Sequence, residues 1–194
     1  MNIAIIFAGG VGTRMRSKDL PKQFLRIHGE PIIVRTVRHF QLHPMVDAIV
    51  VVSGIDWLDY CLTLLEDHGM SKVVAVVPGG ATGQESIFHG LLEAEKIAGG
   101  ERSVVLVHDG VRPLINAQVI SDNIEAVRKT GSAITCVLKR LFWLRERVAK
   151  LTLSLTAASS GWLALRRAFG LMTFWPPTVR PMPWESTIIL IPLL

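Results

Sequence analysis

Short apolar runs alternate with amphipathic segments over the first two thirds of the chain. Runs at 2–7, 48–52, 72–77, 103–107 and 132–137 have the length and composition of buried strands. Between them apolar residues recur at helical spacing, as Ile33, Val37 and Phe40 do at i, i+4 and i+7. Strands separated by helices predict an α/β fold with a mostly parallel sheet and helices on both faces.

Four helices are predicted between these strands, and residues that favour helix ends mark most of their boundaries. Their starts are Pro31, Asp56, Thr82 with Glu85 as a capping box, and Asn116. The second runs to about His68, the third to about Ala98, and Gly131 stops the fourth. The predicted inner stripe of the second helix consists of Leu58, Cys61, Leu62 and Leu65.

Three loops of unusual composition follow predicted strands: 8–22, 79–86 and 108–113. In a parallel sheet the carboxyl ends of the strands meet at one edge, where ligands bind. The sequence therefore predicts that these loops form one site.

The first loop lies in the stretch FAGGVGTRMRSKDLPKQFL, residues 7–25, and carries glycines followed by Arg14 and Lys22. Glycines let backbone N–H groups approach an anion, and the two cations add the positive charge that a polyphosphate needs. The spacing excludes a Walker A loop, because Gly12 is followed by Thr13 and Arg14. It also excludes the dinucleotide fingerprint, since Met15 stands where the third glycine belongs.

The remaining pattern, A-G-G-x-G-T-R-M followed by L-P-K-Q-F-L, resembles the cytidylyltransferases that make CDP-polyols. These act on 2-C-methyl-D-erythritol 4-phosphate or ribitol 5-phosphate. The G-G-x-x-x-x-x-S element at 79–86 and the H-D-x-x-R-P element at 108–113 match the same family in the same order, so the resemblance covers roughly residues 2–137.

The resemblance implies a Rossmann-like nucleotidyltransferase fold and CMP transfer from CTP to a polyol phosphate, with pyrophosphate released and Mg²⁺ as cofactor. Arg14 and Lys22 would stabilise charge on the α-phosphate, and Asp109 would hold Mg²⁺. The implied nucleotide-binding residues are Ala8, Gly9, Gly10, Gly12, Gly79, Gly80, Ser86 and Arg112. A phosphate monoester is already ionised at neutral pH, so the reaction needs no general base.

Simpler interpretations stand beside these roles. Arg14 and Lys22 could be solvated surface cations, Asp109 could cap a turn, and 79–86 could be an ordinary strand-to-helix turn. Arg112 is expected to brace its loop more than to touch substrate, and His108 to be a packed, hydrogen-bonded histidine.

Charge and composition divide the chain near Val137. Residues 1–137 hold 13 Lys and Arg against 14 Asp and Glu, whereas residues 138–194 hold 8 against 2 together with four of the five tryptophans. The net charge of +5 therefore belongs to the last 57 residues and gives no reason to expect nucleic acid as a partner. The two domains expected are a nucleotide-binding domain, 1–137, and an atypical tail, 138–194.

Two cysteines, Cys61 and Cys136, in apolar surroundings indicate buried thiols in a reducing compartment. The apolar run at the N-terminus stops at Gly9 and has no basic segment before it, so neither a signal peptide nor a membrane span is expected. The sequence predicts a cytoplasmic protein.

The tail lacks the family's C-terminal elements, including its dimerising arm. Read from the third base of each codon, however, the codons for 160–169 can spell WLARAPQSF. This string resembles part of the missing third, so we hypothesise a frameshift near codon 137. The chain as written is then expected to be inactive, and the intact family member to be a homodimer.

Three alternatives remain at this point. The chain could be a sugar-phosphate nucleotidyltransferase for another base, an inactive nucleotide-binding remnant, or a protein whose basic tail binds a membrane surface.

Overall fold

The computed structural model describes residues 1–9 and 20–135, and residues 187–190 as backbone. Its strands in chain order are β1 (Asn2–Phe7), β2 (Arg26–Ile27), β3 (Glu30–Pro31), β4 (Ala48–Ser53), β5 (Val73–Pro78), β6 (Val104–Asp109) and β7 (Thr187–Leu190). Its helices are α1 (Ile32–Gln41), α2 (Leu58–Asp67), α3 (Gly83–Ala98) and α4 (Ala117–Thr130). Two single 3-10 turns, Lys22–Phe24 and Ile55–Trp57, precede α1 and α2.

Five strands form one parallel sheet in the order β5-β4-β1-β6-β7. Strand β1 lies at its centre, and Ile5 is in register with Val50 of β4 on one side and Val107 of β6 on the other. β2 and β3 form a separate two-residue antiparallel hairpin, which turns through His28 and Gly29 at positive φ. The predicted parallel sheet is confirmed.

Helices cover both faces of the sheet, as predicted. Side chains of β1 alternate between the faces: Ala4 and Ile6 join one core with α1, α2 and α4, while Ile3 and Ile5 join a second core with α3. Both residues of each pair are fully buried. Because the central strand is buried on both faces, its sequence is a continuous apolar run instead of an alternating one.

Helix α3 approaches the sheet closely at Gly90. A Cβ atom added to Gly90 would lie 2.5 Å from Cγ2 of Ile5 and 3.0 Å from Cγ2 of Val52. No real carbon side chain fits at that separation, so a glycine here sets the height of α3 above β1 and β4.

The helix boundaries confirm most of the sequence reasoning. Thr82 Oγ1 accepts from the Glu85 N–H at 3.1 Å, and Asn116 Oδ1 accepts from the Val119 N–H at 3.0 Å. Gly131 ends α4 in the left-handed conformation. In the described part of the chain, no helix has both the length and the apolar character that a membrane crossing requires.

The start of α2 was predicted wrongly. The 3-10 turn Ile55–Trp57 comes first, so the N-cap is Trp57 instead of Asp56, and no side chain caps the helix. Leu62 is 40% exposed, because Cys61, Leu64 and Leu65, at i, i+3 and i+4, form the inner face of the helix.

The strand predicted over 132–137 is absent from its described part, 132–135, where Ile134 makes a single bridge pairing. Instead, the amide of Asn123 on α4 donates to Thr135 Oγ1 at 2.7 Å and ties this segment to the helix. Residues 136 and 137 lie outside the described part. The fifth strand of the sheet is β7, from the tail that the sequence assigns to a separate, atypical region.

Candidate active site

The carboxyl ends of β1, β5 and β6 and the turn at Lys22 surround a cavity of about 340 Å³. Its lining consists of Phe7, Ala8, Gly9, Lys22, Gln23, Gly80, Ala81, Thr82, Gly83, Ser86, Asp109 and Val111. All three loops named from the sequence contribute, which confirms that they share one edge of the sheet. Ala8, Gly9, Lys22, Gly80, Ser86 and Asp109 are the expected site residues that line it.

The Ser86 hydroxyl lies where the first two loops meet. It accepts from the Gly80 N–H at 3.1 Å and donates to the Thr82 carbonyl at 2.9 Å. A Cβ atom on Gly79 would lie 2.9 Å from this hydroxyl oxygen, and one on Gly9 would lie 3.6 Å from it. The two glycines therefore leave Ser86 within reach of the end of β1.

The turn before α3 is held by its own capping interactions. Glu85 Oε2 accepts from the Ala81 N–H at 2.7 Å, and a Cβ on Gly80 would collide with the Glu85 side chain. Helix α3 thus begins at the cavity wall with an ordered first turn. The positive end of a helix dipole favours an anionic ligand there.

Lys22 lies at the rim of the cavity, on a 3-10 turn that is held in place by the packing of Phe24. The next residue but one, Phe24, is buried and packs on Trp57 and Tyr60, with ring centroids 5.4 and 5.0 Å away. Sequence reasoning missed Gln23, which lines the cavity, is 2% exposed, and has a side-chain oxygen that meets no donor among the described residues. Its position beside Lys22 in the L-P-K-Q-F-L motif was the available signal.

Asp109 is the last residue of β6, whereas the sequence placed it in the following loop. Its Oδ1 accepts from the Val111 N–H at 3.1 Å, and its Oδ2 accepts from Arg112 Nε at 3.2 Å. Arg112 therefore braces the loop, as the simpler interpretation of the sequence expected. It is not among the residues that line the cavity, so its contact with nucleotide stays a prediction.

His108 packs beneath this loop. It is buried, its ring centroid lies 5.3 Å from that of Phe40, and its Nε2–H donates to the Arg112 carbonyl at 3.1 Å. Burial lowers the pKa of His108, against the opposing effect of that hydrogen bond and of Asp109. The packed, hydrogen-bonded histidine expected from the sequence is confirmed.

Two residues of α1 that the sequence did not single out also hold this loop. Thr36 Oγ1 lies 2.9 Å from the Gly110 carbonyl and 3.1 Å from the Ile32 carbonyl, and its one proton serves either acceptor. His39 Nε2 donates to the Pro113 carbonyl at 3.0 Å. In the sequence Thr36 is marked only as a polar residue on the apolar face of a predicted helix, and the structure buries it fully.

Gly10, Gly12 and Arg14 lie outside the described residues, and their roles stay predictions. Among the described residues, no group of three or more His, Cys, Asp and Glu side chains could hold a metal ion. A magnesium ion bound with a nucleotide takes most of its ligands from phosphate and water, so the single carboxylate of Asp109 fits that kind of site.

Cys61 is a free, buried thiol on α2. Burial raises its pKa to about 11, which keeps it protonated at neutral pH. The buried thiol predicted at this position is confirmed; Cys136 lies outside the described residues.

A family model described as "IspD: 2-C-methyl-D-erythritol 4-phosphate cytidylyltransferase" matches residues 2–148, somewhat beyond Val137, where the sequence predicted the resemblance to end. A ribitol-5-phosphate cytidylyltransferase of Streptococcus agalactiae serotype Ia is 58% identical over 137 residues, which are 71% of this chain and 57% of the relative. One from Vibrio parahaemolyticus serotype O3:K6 is 54% identical over 135 residues, 70% of this chain and 56% of that one. The chain thus spans little more than half the length of these relatives.

Some of the more distant relatives carry the other substrate in their names. A 2-C-methyl-D-erythritol 4-phosphate cytidylyltransferase of Geobacter metallireducens is 39% identical over 135 residues, 69% of this chain and 57% of its own. The crystal structure of 4-diphosphocytidyl-2C-methyl-D-erythritol synthase from Anaerococcus prevotii covers 66% of this chain and 51% of its own, with 29% identity and a TM-score of 0.51. The crystal structure of Francisella tularensis 2-C-methyl-D-erythritol 4-phosphate cytidylyltransferase shares the fold. It covers 98% of this chain and 89% of its own, with 20% identity and a TM-score of 0.52.

Proposed function

Because the chain belongs to the 2-C-methyl-D-erythritol 4-phosphate cytidylyltransferase family, we propose that it carries the nucleotide half of a CTP-dependent cytidylyltransferase. The observation that carries this proposal is the cavity in which Lys22, Asp109 and the turn before α3 converge at the carboxyl ends of the strands. A triphosphate needs cations, N–H donors and a carboxylate for its metal ion. Lys22 and Asp109 are a cation and a carboxylate at this cavity, and the first turn of α3 lies at the same wall.

In the proposed reaction a phosphate oxygen of the polyol phosphate attacks the α-phosphorus of CTP. A new P–O bond forms, the bond to pyrophosphate breaks, and pyrophosphate leaves with the electron pair. Lys22 donates to the oxygens that gain charge at the α-phosphorus, with Arg14 beside it as the second proposed cation. The glycine turns and Ser86 orient the nucleotide, so the chain contributes mainly positioning and charge neutralisation.

Asp109 is the proposed ligand of Mg²⁺. Its two observed hydrogen bonds occupy one lone pair on each oxygen and leave one on each for a cation. When bound, Mg²⁺ offsets the negative charge of the triphosphate and of the departing pyrophosphate.

For the acceptor we propose ribitol 5-phosphate in preference to 2-C-methyl-D-erythritol 4-phosphate. The support is the identity of 58% and 54% to relatives named for ribitol 5-phosphate, against 39% to the Geobacter relative. The test measures pyrophosphate release by the frame-restored enzyme with each acceptor and with CTP, UTP or GTP. Equal rates with UTP or GTP, or a preference for the methylerythritol phosphate, would contradict this assignment.

We further propose that the intact enzyme works in the cytoplasm as a homodimer and that residues 138–194 are out-of-frame. Support for the last point comes from the change of composition near Val137 and from relatives that extend well beyond the matched 57%. Resequencing codons 130–145 on both strands tests it. With the frame restored, turnover should appear; normal turnover by the chain as written would refute the hypothesis.

A further inference from the structure

One face of α1 holds the backbone of the loop that follows Asp109. Thr36 donates to the Gly110 carbonyl and His39 to the Pro113 carbonyl, each from 74 residues away along the chain. The Arg112 carbonyl between them accepts from His108, whose ring packs on α1 through Phe40. Three carbonyls of a four-residue stretch are therefore fixed by side chains.

The loop also lies directly on α1 at Gly110. A Cβ atom there would lie 2.7 Å from Cδ1 of Ile33 and 3.0 Å from Cβ of Ala8. Close packing at Gly110 and the hydrogen bonds from α1 thus both fix the distance between the loop and the helix. The contact with Ala8 places this part of the loop beside the end of β1.

The loop in turn fixes the carboxylate. Both side-chain oxygens of Asp109 are held by the loop's own donors, the Val111 N–H and the Arg112 guanidinium. Any shift of the loop moves these donors and turns the carboxylate with them. A carboxylate that serves as one of few protein ligands to a cation depends on such partners for its orientation.

We propose that Thr36 and His39 are positioning residues: through the 110–113 backbone they orient the Asp109 carboxylate for a divalent cation bound with a nucleotide. This inference rests on the proposed function for the identity of the ligand. The geometric part, that α1 holds the loop, stands without it.

The central variant is Thr36→Val, which replaces the hydroxyl by a methyl of the same shape. Thr36→Ser is its matched counterpart, because it keeps the hydroxyl and loses the methyl. Thr130→Val serves as the control at a remote site, since Thr130 Oγ1 lies 2.8 Å from the carbonyls of Ala126 and Ser132 at the far end of α4. His39→Leu tests the second hydrogen bond at a position that is only half-buried.

Two measurements on the full chain decide the proposal. The first is hydrogen exchange of the Val111 and Arg112 amides, which bond to Asp109 Oδ1 and to the Asp109 carbonyl. Thr36→Val is expected to speed this exchange by about three- to tenfold, the effect of one lost hydrogen bond. Thr36→Ser should behave as the unsubstituted chain does, and His39→Leu should resemble Thr36→Val.

The second measurement is CTP affinity by titration calorimetry, with Mg²⁺ and with EDTA. Thr36→Val is expected to reduce the affinity in Mg²⁺ by about three- to tenfold and to leave the metal-free affinity unchanged. A purely structural loss would lower both affinities together. Thr130→Val should alter neither.

The proposal is overturned if exchange in Thr36→Val matches that in Thr130→Val, or if Thr36→Ser is as impaired as Thr36→Val. It is also overturned if affinity falls equally with and without Mg²⁺. If the unsubstituted chain binds no CTP in either condition, the proposed function fails, and the exchange measurement still decides whether α1 holds the loop.

Discussion

Ser86→Ala removes one hydroxyl from the junction of the first two loops. Two bonds are lost: the one from the Gly80 N–H at 3.1 Å and the one to the Thr82 carbonyl at 2.9 Å. The Thr82 carbonyl keeps a donor, because it also accepts from the Ser86 N–H at 3.0 Å. The Gly80 N–H is left without its partner at the cavity wall.

The magnitude follows from that difference between the two partners. Loss of one hydrogen bond at a half-buried donor costs about 1–2 kcal/mol. This lies between the cost of losing a bond that water replaces and the cost of leaving a buried group unsatisfied. If the turn at Gly80 is ordered for the nucleotide, this cost falls on binding. At about 1.4 kcal/mol per factor of ten, CTP affinity should drop by roughly five- to thirtyfold.

Titration calorimetry with CTP and Mg²⁺ measures this drop, with Ser103→Ala as the matched control. Ser103 is equally buried, at 5% exposure for both residues, but lies before β6 at the opposite edge of the sheet, where its hydroxyl donates to the Glu101 carbonyl at 3.2 Å. The control should lose stability in urea without losing affinity. Unchanged affinity in Ser86→Ala, or an equal loss in both variants, would refute the reasoning.

Three further predictions concern neighbouring residues. Lys22→Met should lower the turnover of the frame-restored enzyme by about 10²–10³-fold in a pyrophosphate-release assay, whereas Lys96→Met, at an exposed lysine paired with Glu93, should not. Gly110→Ala should destabilise the fold by about 1–3 kcal/mol in urea unfolding, because its Cβ would lie 2.7 Å from Ile33; an unchanged midpoint would contradict that contact. Burial lowers the pKa of His108, so as the pH falls below about 6.5 the unfolded chain takes up a proton before the folded chain does. Stability therefore falls as the pH drops, by at most about 1.4 kcal/mol per pH unit. Urea unfolding at pH 7.5 and 5.5 should show a smaller fall in His108→Gln, and equal falls would refute it.

Local signals in the sequence were sufficient for much of the fold. The apolar run of β1 and the capping residues of α3 and α4 act through neighbours a few residues away, so their effect is visible in the pattern. The meeting of the three loops was also predictable, because parallel strands bring their carboxyl ends to one edge.

Contacts between distant segments were not predictable in this way. Thr36 and His39 donate to backbone carbonyls 74 residues away, and a carbonyl leaves no mark in the sequence. The strand expected after Gly131 failed for a similar reason, because the Asn123 side chain holds Thr135 close to α4. Such residues can be identified only when the position of the backbone that they contact is known.

The close packing of Gly90 couples the position of the first turn of α3 to the sheet. A helix is stiff along its length, so any side chain that lifts α3 from Ile5 and Val52 also displaces its first turn, which carries Ser86. A core substitution at Gly90 would then register as a defect in nucleotide binding although the residue touches no ligand. A random screen for lost CTP binding should therefore recover Gly90 together with the residues that line the cavity.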